Sequence, residues 1–173
     1  MFWIAMVVIL VLAVLAYAAS RPDEFRVERR TRINATPDKI FPMLNDFKRW
    51  SIWSPWEKLD PNLTRRHSGA ESGQGAVYDW EGNKKVGKGR MEIRRSLPPS
   101  TLVITLDFME PWAAHNTAEF TLMPTAGATD VVWSMHGPNL FMAKLMGVFM
   151  SMDKMVGKDF ERGLANLKQA AET

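Results

Sequence analysis

Three histidines, His67, His115 and His136, are the chain's first candidates for acid–base or metal chemistry. No pair has metal-ligand spacing, and the HExxH motif is absent, so a zinc site has no support. The chain has no cysteine, which removes disulfides, thiol nucleophiles and thiolate-bound metals. Neither a metal nor a cofactor is expected. "GNKKVGKG" (82–89) lacks Walker spacing and the strand-then-helix setting of a phosphate loop, and no GxSxG offers a serine nucleophile. His67 lies in the polar "TRRHSG", and His136 shares a strand face with Val132 and Ser134; both read as surface or hydrogen-bonded structural groups. His115 stands near Trp112 at a strand start and is the histidine to test for general acid–base work. Asp107 and Glu119 alternate away from the apolar face and read as solvated. Asp79 stands between Tyr78 and Trp80, so it faces away from the side those two rings share.

Aromatic and sulfur-bearing side chains are more conspicuous than titratable ones. Of seven tryptophans, Trp50, Trp53 and Trp56 fall in "FKRWSIWSPWEKLDP" (47–61). Three apart, they lie roughly along one side of a helix. Lys48, Arg49 and Glu57 interleave with them, which disfavours a membrane role and favours packing or a pocket wall. There are twelve methionines; Met135, Met142, Met146, Met150, Met152 and Met155 crowd the C-terminal part, with Met109 and Met123 on preceding strands. Methionine adapts to irregular space, so these fit a loosely shaped core or a pliable wall for an apolar ligand.

Met1–Ala19 contains no charged residue, no proline and no glycine. As a helix it rises about 28 Å, close to the hydrocarbon thickness of a bilayer. "AYAA" (16–19) also offers the small-x-small pattern of a signal-peptide cleavage site. No Lys or Arg precedes the run, whereas Arg21, Arg26, Arg29, Arg30 and Arg32 follow it. The balance points to a single-pass membrane anchor over residues 1–20, with the following domain cytoplasmic by the positive-inside rule. A secreted or periplasmic domain after cleavage is the alternative. Residues 21–24 read as a linker and 25–173 as one domain. The net charge of +3, from 22 basic and 19 acidic residues, is too small and too dispersed to suggest nucleic acid. The basic runs at 26–32 and 84–90 read as solvated strand edges, with attraction to anionic headgroups as the sharper alternative.

The elements follow from periodicity. "FRVERRTRIN" (25–34) alternates as a half-buried strand. Thr36, Pro37 and Asp38 suit a helix start, with Ile40, Phe41 and Leu44 at helical spacing, and "FKRWSIWSPW" reads as a second short helix stopped near Pro55. Residues 73–82 and 83–96 read as strands joined at Gly82-Asn83. Residues 101–110, 115–124 and 128–137 alternate, placing Leu106 and Phe108, Phe120, and Trp133 and Met135 on apolar faces. From Asn139 the period becomes helical, with a long helix over Met152–Ala171, a shorter piece before it, and Gly147 and Gly157 as weak points.

The stretches 33–56, 73–83, 130–139 and 159–169 resemble the first strand end, helix pair and tryptophan loop, the hairpin, the last strand and the closing helix of the START/Bet v 1-like (SRPBCC) superfamily. Within it, the chain is most similar to bacterial polyketide cyclase/dehydrase-type proteins. The resemblance spans about residues 25–172. It implies an α+β helix-grip fold: a curved antiparallel β-sheet wrapped around a long C-terminal helix, with two short helices after the first strand. The apolar N-terminal helix is an addition to that fold.

The resemblance also implies an internal cavity. Trp53, Trp56, Tyr78, Trp80, Leu106, Phe108, Phe120, Trp133, Met135, Met152, Met155 and Phe160 are expected to line it, with Trp50 packing the helix pair onto the sheet. The expected function is binding of an apolar, aromatic or lipid-like small molecule, with the membrane as second partner through residues 1–19. The alternatives are a cyclase or dehydratase using His115 or Tyr78 as acid–base, and a ligand-free stress or assembly protein at the membrane. Oligomeric state is open.

Overall fold

The computed structural model describes residues 2–149 and 151–173; Met1 and Met150 lie outside them. Helix α1 (Phe2–Ala19) is the apolar run. It is long and apolar enough to cross a membrane, a property that signal sequences share. Strand β1 (Glu24–Ile33) follows, then α2 (Pro37–Asn45) and the single-turn α3 (Trp50–Trp53), flanked by 3-10 turns at Phe47–Arg49 and Pro55–Lys58. Six strands come next: β2 (Thr64–Gly69), β3 (Ala76–Glu81), β4 (Lys88–Leu97), β5 (Thr101–Glu110), β6 (Ala114–Thr125) and β7 (Ala128–Pro138). Helices α4 (Phe141–Phe149) and α5 (Met152–Glu172) close the chain.

The seven strands form one antiparallel sheet in the order β1-β7-β6-β5-β4-β3-β2. The chain therefore runs as a meander from β2 to β7, and β1 closes on β7. This is the curved sheet and long helix of the helix-grip fold. On β6, Asn116, Ala118, Phe120 and Leu122 are buried in strict alternation, because only one face of the strand meets the core. The strand junction expected at Gly82-Asn83 is instead the longer turn 82–87. Gly82 N donates to Gly87 O (2.9 Å), and the Trp80 indole donates to Val86 O (3.0 Å). β2 carries no buried residue, so its edge position gave no periodic signal.

Register divides the sheet into two ends. Glu24 at the start of β1 pairs with Pro138 at the end of β7, Phe108 with Ala114, and Glu81 with Lys88. One end therefore gathers the exit of α1, the end of β7, the β5–β6 turn and the β3–β4 turn. This end, where α1 joins the sheet, is the anchor end. The far end is filled by fully buried Ile33, Ile93, Leu102 and Leu122, packed with Leu164 and Leu167 of α5.

Helix α5 runs unbroken through Gly157 and α4 through Gly147; Ser151, just before α5, is extended (φ −74°, ψ 125°). Gly157 is instead a crossing point. The Arg29 guanidinium occupies the space a Cβ would take there, and it bridges Asp153 (2.8 Å) and Glu161 (2.7 Å) one turn to either side. Gly163 has a similar role: a Cβ would stand 2.8 Å from the Trp133 ring and 3.2 Å from Pro55. Absence of side chains at these two positions lets the helix lie close on the sheet.

Candidate functional site

Two indoles explain the local geometry of the tryptophan stretch. A helix leaves its last carbonyls without intrahelical donors. At the end of α2, Trp50 Nε1 donates to Leu44 O (2.9 Å) and Trp53 Nε1 donates to Met43 O (3.0 Å). Gly73 N donates to Asn45 O (2.9 Å). Both rings thereby cap α2 from below while packing on each other at 4.8 Å between centroids. Thr36 occupies the N-cap position of α2, but its side chain makes no cap hydrogen bond.

Between the concave face and the first half of α5 lies a cavity of about 180 Å³. Its walls are aromatic. Trp133 and Phe160 stack in parallel 3.9 Å apart, and Trp56 meets both edge-on at 5.7 and 6.2 Å. Tyr78 and Trp80 stack at 6.2 Å, and Trp80 meets Phe108 edge-on at 5.8 Å. Such contacts hold rings in place beyond their area burial, so the walls are preformed. Leu106, Met91, Ala118 and Met135 complete the sheet side, and Val156 and Asp159 the helix side.

One polar cluster faces this space. Glu57, whose side chain is only 8% exposed, accepts from the Tyr78 hydroxyl (2.6 Å) and from Arg65 Nε (2.6 Å). Arg65 also donates to the backbone carbonyls of Glu57 (2.9 Å) and Leu63 (3.0 Å), which fixes the loop before β2. Burial, and then the Glu57 acceptor, push the Tyr78 phenol well above the ordinary tyrosine value, so it keeps its proton. The Glu57 hydrogen bond likewise holds the Arg65 guanidinium charged. The cluster presents a fixed carboxylate to a mainly apolar pocket whose other polar lining residues are Ser54 and Asp159.

Among the residues expected to line a cavity, the structure brings together Trp56, Tyr78, Trp80, Leu106, Phe108, Trp133, Met135 and Phe160. Trp53 and Phe120 lie behind that surface, fully buried and edge-on to one another at 5.9 Å. Trp50 packs the helix pair onto the sheet as expected, capping α2 and meeting Phe120 edge-on at 6.2 Å, and also reaches the lining, whereas Trp53, expected to close the pocket, is packing. Met152 and Met155 stand exposed on α5 and away from the lining. His115 projects from the outer face, 69% exposed, against the Asp107 carboxylate, which it opposes in the β5–β6 register. It does not line the cavity, because the inward residues of β6 are its neighbours Asn116 and Ala118. Asp79 pairs with Arg90 (3.5 Å) on the side opposite Tyr78 and Trp80. Glu57 was missed as a site residue; its signal is a lone carboxylate directly after Trp56 in an aromatic stretch. Met91 was missed too, although its alternation with Ile93 was available. No group of three or more His, Cys, Asp or Glu able to hold a metal ion occurs among the described residues.

The family model for polyketide cyclase/dehydrase and lipid transport proteins matches residues 24–172. No curated protein matches the chain. Several solved structures share the fold at low identity. Protein MLL2253 from Mesorhizobium loti is 16% identical with a TM-score of 0.63, covering 84% of this chain and 95% of its own. Protein CV1439 from Chromobacterium violaceum is 13% identical with a TM-score of 0.61, covering 88% and 99%. The di-domain ARO/CYC protein BexL of the BE-7585A biosynthetic pathway is 12% identical with a TM-score of 0.62, covering 92% of this chain and 53% of its own.

Proposed function

This chain belongs to the polyketide cyclase/dehydrase and lipid transport family, and from that premise we propose that it is a membrane-tethered domain that binds one apolar or aromatic small molecule. The observation that carries the reading is the preformed aromatic pocket whose lining holds the Glu57 carboxylate, fixed by Tyr78 and Arg65, with Asp159 on the helix side. Apolar walls with few fixed polar groups are how small-molecule sites are built. Size narrows the ligand. A dry protein cavity of about 150 Å³ accepts benzene; at about 180 Å³ this one accepts a single substituted ring or a short stretch of alkyl chain.

Retention of α1 as an anchor is supported by its packing. Ala18 is fully buried, and Arg21 just beyond the helix donates to Gly147 O of α4 (3.1 Å). Catalysis draws less support. His115 is on the outer face, and Tyr78 holds its proton too firmly to serve as a base near neutral pH.

The test is native mass spectrometry and solvent extraction of the full chain purified in detergent, alongside Ala118→Phe, which places a ring in the cavity. Wild type is expected to carry or take up an apolar ligand such as p-cresol, and the variant to lose that uptake while staying folded. Equal uptake by both proteins, or none by wild type, would overturn the reading.

A further inference from the structure

Helix α4 has an unusual surface. Its one charged residue, Lys144, is turned inward, 7% exposed, and donates to Asp23 Oδ1 (2.6 Å). What α4 and the residue before it show to solvent is Leu140 (68% exposed), Phe141 (47%), Met142 (65%) and Met146 (52%). A contiguous exposed apolar patch of this kind marks a partner surface. Position identifies the partner. α4 packs against α1, and the short segment between α1 and β1 is tied to the start of α4. Asn139 donates to Pro22 O (3.0 Å) and Asp23 O (2.7 Å). The connection between Ala19 and Glu24 spans at most about 18 Å even when extended, and these bonds hold it folded. Once α1 is in a bilayer, the anchor end of the sheet has no freedom to stand away from it.

We propose that α4 and the β5–β6 turn form a second membrane contact that seats the anchor end of the domain flat on the lipid surface and turns the mouth of the cavity toward the bilayer. The inference rests on the reading of α1 as a retained membrane helix. The β5–β6 turn shares this end by register and carries Trp112 (74% exposed) and Met109 (49%), and tryptophan favours the headgroup region. The β3–β4 turn beside it exposes Lys84 and Lys85, which favour anionic headgroups. Part of the cavity lining lies at the same end. Trp80, Val86 and Phe108, at this end, are partly exposed lining residues, as are Trp56, Glu57, Leu106, Val156 and Asp159 around the first half of α5, whereas Tyr78, Met91 and Trp133 are buried. A ligand dissolved in the membrane that enters past Trp80, Val86 and Phe108 does so without crossing bulk water.

Absence of native cysteine makes the test clean. Single variants Leu10→Cys, Met142→Cys, Trp112→Cys and Ala126→Cys of the full chain are labelled with an environment-sensitive fluorophore and reconstituted into vesicles of phosphatidylcholine and phosphatidylglycerol. The expected result is blue-shifted emission, quenched by lipid-borne quenchers, at positions 10, 142 and 112, with position 126 at the far end remaining aqueous. A lipid signal at 10 with an aqueous signal at 142 and 112 overturns the docking surface and leaves the anchor standing. An aqueous signal at 10 overturns both. Self-quenching between labels at 142, relieved by dilution with unlabelled protein, assigns the patch to a second copy and also overturns the proposal.

Discussion

Tyr78→Phe removes the hydroxyl that donates to Glu57 at 2.6 Å and leaves the ring, with its stacking on Trp80, in place. A hydrogen bond to a charged acceptor contributes about 1.5–3 kcal/mol. Glu57 keeps Arg65 at 2.6 Å, so the lower figure applies, about 1.5 kcal/mol. For a domain of this size that is a fall in Tm of about 3–6 °C. Glu57→Leu costs more, because it strands the buried hydroxyl as well as Arg65, and the pair should show coupling in a double-mutant cycle. The alkaline limb gives an independent check. Burial and the Glu57 acceptor raise the Tyr78 phenol above the ordinary value of 10.0. The stabilisation is therefore complete below that value and is lost as pH climbs toward the folded-state value. Above about pH 10 only the unfolded chain releases the proton, so wild type loses about 1.4 kcal/mol per pH unit relative to Tyr78→Phe. An initial advantage of about 1.5 kcal/mol is then cancelled near pH 11. Urea titrations of both full-length proteins in detergent between about pH 8 and 11 measure this directly. Parallel stability curves with no convergence, or no difference at pH 8, would refute the assignment of a buried Tyr78–Glu57 bond.

Other substitutions separate the roles assigned above. Trp50→Phe should cost about 1 kcal/mol, the indole bond to Leu44 O, whereas Trp53→Ala should cost about 3–5 kcal/mol because it also empties the packed core; thermal unfolding ranks the two. His115→Ala should change stability by less than about 0.5 kcal/mol and leave p-cresol uptake unaltered, as expected of an exposed outer-face residue; loss of uptake or of any turnover would revive it as a catalytic residue. Arg29→Ala combined with Gly157→Ala should be about 1 kcal/mol more stable than Arg29→Ala alone, since the helix-propensity gain appears only once the guanidinium has vacated that space.

Legibility in the sequence tracked how one-sided each element is. Strands β5 and β6 bury one face only, and β7 does so apart from Ala128 and Ser134, so their alternation is written plainly and the residues facing the core could be named. β2 is an edge strand with both faces exposed, and nothing in "TRRHSG" sets one side apart. The tryptophan stretch misled for a related reason. A spacing of three implies one shared face only on a continuous helix, but Ser54 is extended (φ −66°, ψ 126°) and Trp56 belongs to a separate 3-10 turn. The break in phase sends Trp56 to the cavity and leaves Trp53 in the core. Glycines 147 and 157 read as breakers on propensity; that Arg29 fills the space at 157 depends on a strand more than a hundred residues earlier, and local sequence does not encode it. Glu57 escaped notice because a charge beside tryptophans normally signals solvent, and only the meeting with Tyr78 and Arg65 makes it an inward group.

The pocket itself is the strongest argument for a ligand, because its partly open aromatic walls stay in contact with solvent when nothing fills them, and apolar area left exposed forgoes about 25 cal/mol per Å² of burial. The far end shows that this sequence can fill the same sheet completely, with Ile33, Leu102, Leu122 and Leu167 at or near zero exposure. The pocket is left open by small or partly exposed residues, Ala118 and Val156 among them. If the volume exists to hold a ligand, occupying it by mutation should separate stability from binding. Ala118→Phe should raise Tm in the absence of ligand, or at least preserve it, and should abolish the further rise that p-cresol gives wild type through preferential binding to the folded state. A variant that is destabilised yet still stabilised by p-cresol would show that the ligand sits elsewhere and that the cavity is a packing defect.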